Sequence, residues 1–203
     1  KQKKKEENTL ATNVKKRRQA LAQVRKDKKN LQQDADRIAA DAKKLERLIT
    51  KLIDEEKARK LREEALAKAN KQPPPVPSTS GTSFVNLRRA LPWPVASGKI
   101  VGRFGNQQNK QLGTVTQNTG IDVAVPLGTQ VTAVAAGEIS LISWLPSFGN
   151  LVIIDHSDGF RTVYAHLSEI SVSEGEKVLQ KSLIGRSGES VEGAVLHFEV
   201  WKD

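Results

Sequence analysis

The sequence contains no cysteine. This absence excludes a disulfide framework, a thiolate metal site and a thiol nucleophile. No apolar run approaches the roughly 20 residues that a helix needs to span a bilayer. The first 72 residues also contain no aromatic side chain. Because proteins bind single strands largely by stacking bases on aromatic side chains, the basic charge of this part is a weak indication of nucleic-acid binding, and we expect no nucleic-acid partner.

Basic charge is confined to one part of the chain. Residues 1–72 contain 23 Lys or Arg and 12 Asp or Glu, whereas the remaining residues contain ten basic and eleven acidic side chains. Such a shift in composition within 203 residues indicates an extended basic element joined to one domain of ordinary size. The two parts of the chain therefore follow different structural patterns.

An apolar stripe runs through the basic part. Alternating steps of four and three residues from Leu10 reach thirteen positions up to Leu52, and all of them except Arg17 and Lys28 are apolar. Neither Gly nor Pro occurs in residues 1–72, so the pattern predicts one uninterrupted helix there. A stripe this narrow, sustained over six heptads, is typical of a coiled-coil seam.

The stripe loses its register after Leu52, where Glu56, Arg59 and Glu63 take the seam positions. We expect the seam to change partner at this point. The partner helix belongs either to the same chain or to another copy, and a solvated helix without a docking surface is an equal alternative. At about 1.5 Å per residue the helix forms a rod of roughly 90 to 105 Å, which suits a spacer or a lever.

A linker and a β domain follow the helix. Four prolines between residues 73 and 77 end the helix, and small polar residues complete a linker over residues 73–83. Over residues 84–203 the sequence changes to short apolar or alternating runs separated by glycines, which predicts a compact antiparallel all-β domain. The expected fold class is α+β by segregation, with a long N-terminal coiled-coil helix followed by the β domain.

Three blocks of the β domain contain the residue types of a metal site. They are Asn118-Thr-Gly-Ile-Asp-Val-Ala124, Thr162-Val-Tyr-Ala-His-Leu167 and Leu196-His-Phe-Glu-Val200. Together with Leu91-Pro-Trp-Pro-Val95 and the run of residues 148–159, these blocks resemble the LytM/lysostaphin-type zinc metallopeptidase domain. They occur in the order of that family and cover nearly all of residues 91–201.

The resemblance implies which residues held a metal. In active members a His and an Asp of an H-x-x-x-D block and the second His of an H-x-H block bind zinc, and two further His residues assist catalysis. Asp122 and His197 match two ligands, and His166 matches one catalytic His. Asn118 stands at the first ligand position and Val195 at the other catalytic position. An amide is a poor zinc ligand and Val195 transfers no proton, so we expect no enzyme activity, no metal and no cofactor.

The combination of a long coiled coil, a Pro-rich linker and a degenerate LytM-type domain resembles the EnvC family of murein hydrolase activators. This resemblance implies a periplasmic protein of the bacterial cell envelope. It would activate peptidoglycan (N-acetylmuramoyl-L-alanine) amidases in cell division and septum splitting, and its coiled coil would dock on the FtsE-FtsX ABC-type complex.

In that family the vacated cleft contacts the amidase and is held shut by a self-inhibitory helical segment. We therefore expect a partner-binding groove in this chain, formed by Asn118, Asp122, Tyr164, His166, Val195 and His197. The end of the helix, from Ile53 to Asn70, is a candidate for part of the inhibitory segment.

Three other functions remain open at this stage. The first is an active zinc peptidoglycan endopeptidase that retains residual metal, and the second is a peptidoglycan-binding module. The third is a membrane-fusion adaptor, because Gly128 to Gly137 also resembles a half-motif of biotinyl/lipoyl-like barrels. Such an adaptor would insert its coiled coil between two half-motifs, whereas here the whole helix precedes the β domain.

Overall fold

The computed structural model describes residues 2–69, 84–87, 90–109, 114–156, 159–190 and 193–203. The predicted linker of residues 73–83 lies outside the described residues. Helix α1 spans Gln2–Ala69, and a short 3₁₀ helix spans Phe84–Leu87. The strands are β1 Lys99–Gly102, β2 Gly105–Asn109, β3 Thr114–Asn118, β4 Ile121–Ala124, β5 Gln130–Thr132, β6 Gly137–Leu145, β7 Gly149–Asp155, β8 Phe160–Ile170, β9 Lys177–Val178, β10 Leu183–Ser190 and β11 Gly193–Lys202.

The predicted succession of one long helix and an antiparallel β domain is confirmed. Within the described residues, nine strands form one sheet in the order β1-β4-β11-β10-β8-β7-β6-β9, with β5 paired to β10. Strand β11 also pairs with β8, and the hairpin of β2 and β3 forms a separate two-stranded sheet. Every strand pair is antiparallel.

The large sheet has a hydrophobic core on one face. Successive side chains of a strand point to opposite faces, so Val152 and Ile154 of β7 join Tyr164 of β8 and Leu196 of β11 on this side. The 3₁₀ helix adds Phe84, which stacks on His156 at a ring distance of 4.8 Å. Among the described residues, none from helix α1 belongs to this core.

Helix α1 packs on the opposite face of the same sheet. Leu45 and Ile49 are each only 1% exposed. They join a second cluster whose sheet members are Leu145, Phe148, Leu151, Ile153, Val163 and Ala165. The seam therefore changes partner earlier than the expected position after Leu52. Its N-terminal part is exposed, and from about residue 41 the seam packs on the β domain because that sheet face is itself apolar.

Two polar contacts fix the docked segment, residues 41–56, at its ends. The Asp41 carboxylate is 2% exposed and accepts hydrogen bonds from the backbone N–H of Ser147, at 2.9 Å, and from its hydroxyl, at 2.7 Å. The buried Arg161 forms ion pairs with Glu56 of the helix, with Asp155 and with Asp203. The two contacts are about 22 Å apart along the helix, given 1.5 Å per residue.

The described part of the chain includes no helix that is both long enough and apolar enough to cross a membrane.

Candidate functional site

The strand register brings four of the expected site residues together. His197 of β11 is the direct pairing partner of Asp122 on β4 and of Ala165 on β8. Val195 lies two residues before His197 and shares its sheet face, because side chains alternate along a strand. Asn118 ends β3, four residues before Asp122. These side chains meet on the face that carries the docked helix.

His197 is held between two carboxylates. Its Nδ1 lies 2.7 Å from Oδ1 of Asp122, and its Nε2 lies 2.9 Å from Oε1 of Glu199. The Glu199 carboxylate also accepts hydrogen bonds from the Thr119 hydroxyl and, at 2.6 Å, from the indole Nε1–H of Trp201. Both ring nitrogens of His197 therefore have a carboxylate partner.

Asn118 closes the chain of hydrogen bonds from the other side. Its side-chain Nδ2 donates to Asp122, and its Oδ1 accepts from the backbone N–H of Gly120 at 3.0 Å. Gly120 allows the turn between β3 and β4 to lie against β11, since an added Cβ would meet the carbonyl oxygen of Phe198 at 2.3 Å. The amide oxygen of Asn118 is thus engaged in the turn.

Burial and the neighbouring carboxylates set the protonation states. Burial alone would lower the pKa of His197, but the hydrogen bonds and charges of Asp122 and Glu199 outweigh it and raise that pKa to about 9. Burial would raise the pKa of both carboxyl groups, and the contact with His197 instead holds each pKa below its ordinary value. At neutral pH the site contains an imidazolium between two carboxylates.

His166 lies beside this cluster and differs from His197 in its protonation state. Burial lowers its pKa to about 4, with a further contribution from the charge of His197. Its backbone φ of 58° is the left-handed conformation, at an irregularity in strand β8, and its N–H donates to the carbonyl of Phe148 at 2.7 Å. The Phe148 ring stacks on His166 at 6.4 Å between centroids and meets His197 edge-on at 5.2 Å.

Tyr164 lies elsewhere, which corrects the expectation that it borders the groove. Its side chain is fully buried in the core on the opposite face of the sheet. The hydroxyl accepts a hydrogen bond from the N–H of Val134 at 3.0 Å. The physical reason is the strand alternation itself, because Tyr164 is one residue away from Ala165 and Val163, whose side chains face the helix. Tyr164 is therefore not a groove residue.

The side chains at the expected metal positions are bonded to one another or to the backbone. The amide oxygen of Asn118 accepts a hydrogen bond from the N–H of Gly120, and its nitrogen donates one to Asp122. Both nitrogens of His197 are engaged by carboxylates. Across the described residues, no group of three or more His, Cys, Asp or Glu side chains is arranged to hold a metal ion. A hydrolytic zinc needs three protein donors and an open position.

Sequence reasoning missed the partners that complete this site. Glu199 and Trp201 follow His197 at spacings of two and four residues on β11, so strand alternation alone could have placed all three on one face. Thr119 and Phe148 had no such signal. Their contacts depend on a turn and a loop whose conformations the residue pattern does not determine.

The antiparallel sheet thus brings Asp122, His166 and His197 together on the face that packs against helix α1. Residues 116–203 match the model of Peptidase family M23. The β domain of this chain is therefore an M23-family domain. A crystal structure of a zinc containing peptidase from Vibrio cholerae is similar to it, with a TM-score of 0.51, 30% sequence identity and coverage of 54% of this chain and 36% of that chain.

Several curated proteins are similar to this chain over the same region. Cell division protein DipM of Caulobacter vibrioides is 39% identical over 111 residues, which cover 53% of this chain and 17% of that protein. Stage II sporulation protein Q of Bacillus subtilis is 37% identical over 109 residues, covering 48% and 38% respectively. Peptidoglycan DD-endopeptidase ShyA of Vibrio cholerae is 39% identical over 88 residues, covering 42% and 20%. The chain thus spans between 17% and 38% of the length of these three relatives.

Proposed function

We propose that this chain is a non-catalytic activator of peptidoglycan (N-acetylmuramoyl-L-alanine) amidases in cell division and septum splitting, in the periplasm of a bacterial cell. Its amidase-binding groove is formed by Asn118, Asp122, His166, Val195 and His197. The coiled-coil part of helix α1 docks on an FtsE-FtsX-type ABC complex. The observation that carries this proposal is the docking of residues 41–56 on the sheet face that contains the groove.

The chemistry of the groove supports a role without catalysis. Asn118 replaces a ligand with an amide whose oxygen is already bonded, and Val195 offers no proton to a leaving group. His197 pairs with the carboxylates of both Asp122 and Glu199. A cleft shaped for an extended peptide can bind a partner segment once the chemistry is lost.

The helix covers this cleft through Phe148. The Phe148 ring contacts both His166 and His197 and belongs to the cluster that Leu45 and Ile49 complete. A partner segment reaches His197, which is 4% exposed, only after this cover moves. The covering segment lies mainly before Ile53, so the expected inhibitory region from Ile53 to Asn70 is shifted toward the N-terminus by about three turns of helix.

The names of two relatives support a cell-envelope location for the proposed function. DipM is named as a cell division protein, and ShyA as a peptidoglycan endopeptidase. One name refers to cell division and the other to peptidoglycan, which agrees with a cell-envelope function for an M23-family domain. Because the chain spans only a minor part of each, their whole activities are not transferred to it.

An amidase-binding assay tests both the proposed groove and the proposed role of the docked helix in covering it. Purified N-acetylmuramoyl-L-alanine amidases are immobilised, and binding of the full chain is measured by biolayer interferometry. We expect Leu45→Asp to bind at least about tenfold more tightly than the wild type, because it releases the helix from the cleft. Leu61→Asp is the matched control, since Leu61 lies on the same helix and is 67% exposed. Equal binding by both variants, or no binding by either, would contradict the proposal.

An active zinc peptidoglycan endopeptidase is the second candidate, and the similarity to ShyA and to the zinc containing peptidase favours it. This alternative predicts stoichiometric zinc in the purified chain and release of peptides from sacculi without any amidase. Mass spectrometry of the native protein and a sacculus digestion measure both properties directly.

A further inference from the structure

The N-terminal half of the seam is exposed along its whole length. Exposure is 66% at Leu10, 53% at Leu21, 60% at Val24 and 44% at Leu31, whereas Leu45 of the same stripe is 1% exposed. Isolated exposed apolar side chains are common, but a continuous stripe of them on a helix indicates a surface that another element covers. The seam around Leu45 is buried by the β domain, and we expect a partner to bury the exposed seam in the same way.

The free seam ends in a groove against the β domain. Ala35 and Ile38 line this groove, of about 600 Å³, together with Phe104, which directly precedes β2, and Val115 of β3. Phe104 is 73% exposed and Val115 is 59% exposed. Beyond Ile38 the seam is covered by the sheet. A helix that pairs with the free seam therefore has a defined end, between α1 and the hairpin.

Two cations interrupt the apolar seam. Arg17 and Lys28 occupy heptad core positions, and in the part of the chain that the structure describes neither forms an ion pair. Burying an unpaired cation in a helix interface is costly, so a stable partner must supply a carboxylate opposite each one. Single polar core positions are known to select the partner of a coiled coil in this way.

These cations disfavour pairing with a second copy of the chain. A parallel, in-register pair places Arg17 against Arg17 and Lys28 against Lys28, because like heptad positions face each other. An antiparallel pair that aligns Leu10 with Ala35 places Arg17 against Lys28 twice. A shift by one heptad sets Lys28 against Val24, which buries the cation without a partner. Each alignment therefore carries an electrostatic penalty.

The helix segment that carries the seam is basic overall. Residues 10–40 contain nine Lys or Arg and three Asp, with no Glu, which gives a net charge of +6. All three aspartates have partners within the helix. Asp34 pairs with Arg37, and Asp27 and Asp36 accept hydrogen bonds from Gln23 and Gln32. The net charge of the segment favours an acidic partner helix.

We propose that Leu10 to Ile38 is the binding surface for an acidic amphipathic helix, which carries carboxylates opposite Arg17 and Lys28 and ends in the groove beside Phe104. This helix is about 42 Å long, from 28 steps of 1.5 Å. The inference does not depend on the amidase function, because it uses only the seam and the hairpin.

Two synthetic helical peptides of 32 residues test the proposal with the full chain. Both have leucine at the heptad core; one carries glutamate on its flanks and opposite Arg17 and Lys28, and the other carries lysine at all of those positions. Isothermal titration calorimetry at 50 and 300 mM salt measures each affinity. We expect the acidic peptide to bind at least about tenfold more tightly, with the preference decreasing at high salt.

Charge-reversal variants of the chain test whether the seam is the surface that binds the peptide. The double variant R17E/K28E should lose at least about tenfold in affinity for the acidic peptide and gain affinity for the basic one. Its matched control is K15E/K26E, which makes the same change of net charge off the seam and should alter affinity by less than about threefold. Phe104→Ser should weaken binding if the helix ends in the groove.

Five results would overturn the proposal. The first four are equal affinity for the two peptides, equal effects of the seam and off-seam variants, no effect of Phe104→Ser, and self-association of the wild-type chain that Val24→Asp abolishes in sedimentation velocity. The fourth result would assign the seam to a second copy. Binding of duplex DNA or anionic vesicles in preference to the acidic peptide would also overturn it.

Discussion

Truncation of Leu45 should release helix α1 from the cleft without unfolding the β domain. Leu45 is 1% exposed and packs against the sheet cluster that contains Phe148. A buried Leu→Ala substitution costs about 2 to 5 kcal/mol, and we take the lower part of this range because a helix on a sheet surface can settle into the vacated volume. A loss of about 2 to 3 kcal/mol raises the population of the undocked helix roughly 30- to 150-fold.

Amide hydrogen exchange measures this release by residue. In Leu45→Ala, exchange of the helix amides over residues 41–53 should become roughly 30- to 150-fold faster, while the amides of β7, which is hydrogen-bonded between β6 and β8, should change much less. Leu61→Ala is the control, because the same side chain is 67% exposed there and its loss should cost less than about 0.5 kcal/mol. Equal effects of the two substitutions, or equal acceleration in helix and β7, would show that Leu45 does not hold the helix on the sheet.

Three further predictions concern the polar groups. Arg161→Ala leaves the facing carboxylates without their cation and should lower the free energy of unfolding in urea by about 3 kcal/mol or more, whereas Arg186→Ala, which breaks an exposed pair, should cost less than about 1 kcal/mol. The raised pKa of His197 stabilises the fold fully below about pH 6.5, and this stabilisation, on the order of 3 kcal/mol, should be lost as pH rises through about 9; a flat profile in urea titrations would contradict it. Asn118→His should bind about one zinc per chain by mass spectrometry while the wild type binds far less, and equal zinc in both would show that Asn118 is not the limiting residue.

Periodicity predicted the large elements because each has one dominant repeat. The stripe from Leu10 to Leu52 predicted an unbroken helix, and the structure confirms one over Gln2–Ala69. The alternation after residue 84 predicted an antiparallel β domain. The family resemblance grouped Asn118, Asp122 and His197, and in the structure hydrogen bonds join these three side chains.

The partner of the helix could not be predicted from the same repeat. Leu45 and Ile49 have the seam pattern of Leu21 and Val24, yet the first pair packs on the sheet and the second is exposed. A heptad pattern indicates only that the helix has an apolar face, and it does not indicate which element packs on that face. The contact of Glu56 with Arg161 also depends on the meeting of two elements about 100 residues apart in sequence, which no local pattern encodes.

Amidase activation is tested most directly by dye release from labelled sacculi. An N-acetylmuramoyl-L-alanine amidase is assayed with the wild-type chain and with Leu45→Asp, and the chain is also assayed alone. We expect no release by the chain alone, weak stimulation by the wild type and stronger stimulation by Leu45→Asp, because that variant uncovers the groove around His197. Release by the chain alone, or the absence of stimulation by both proteins across a panel of amidases, would contradict it.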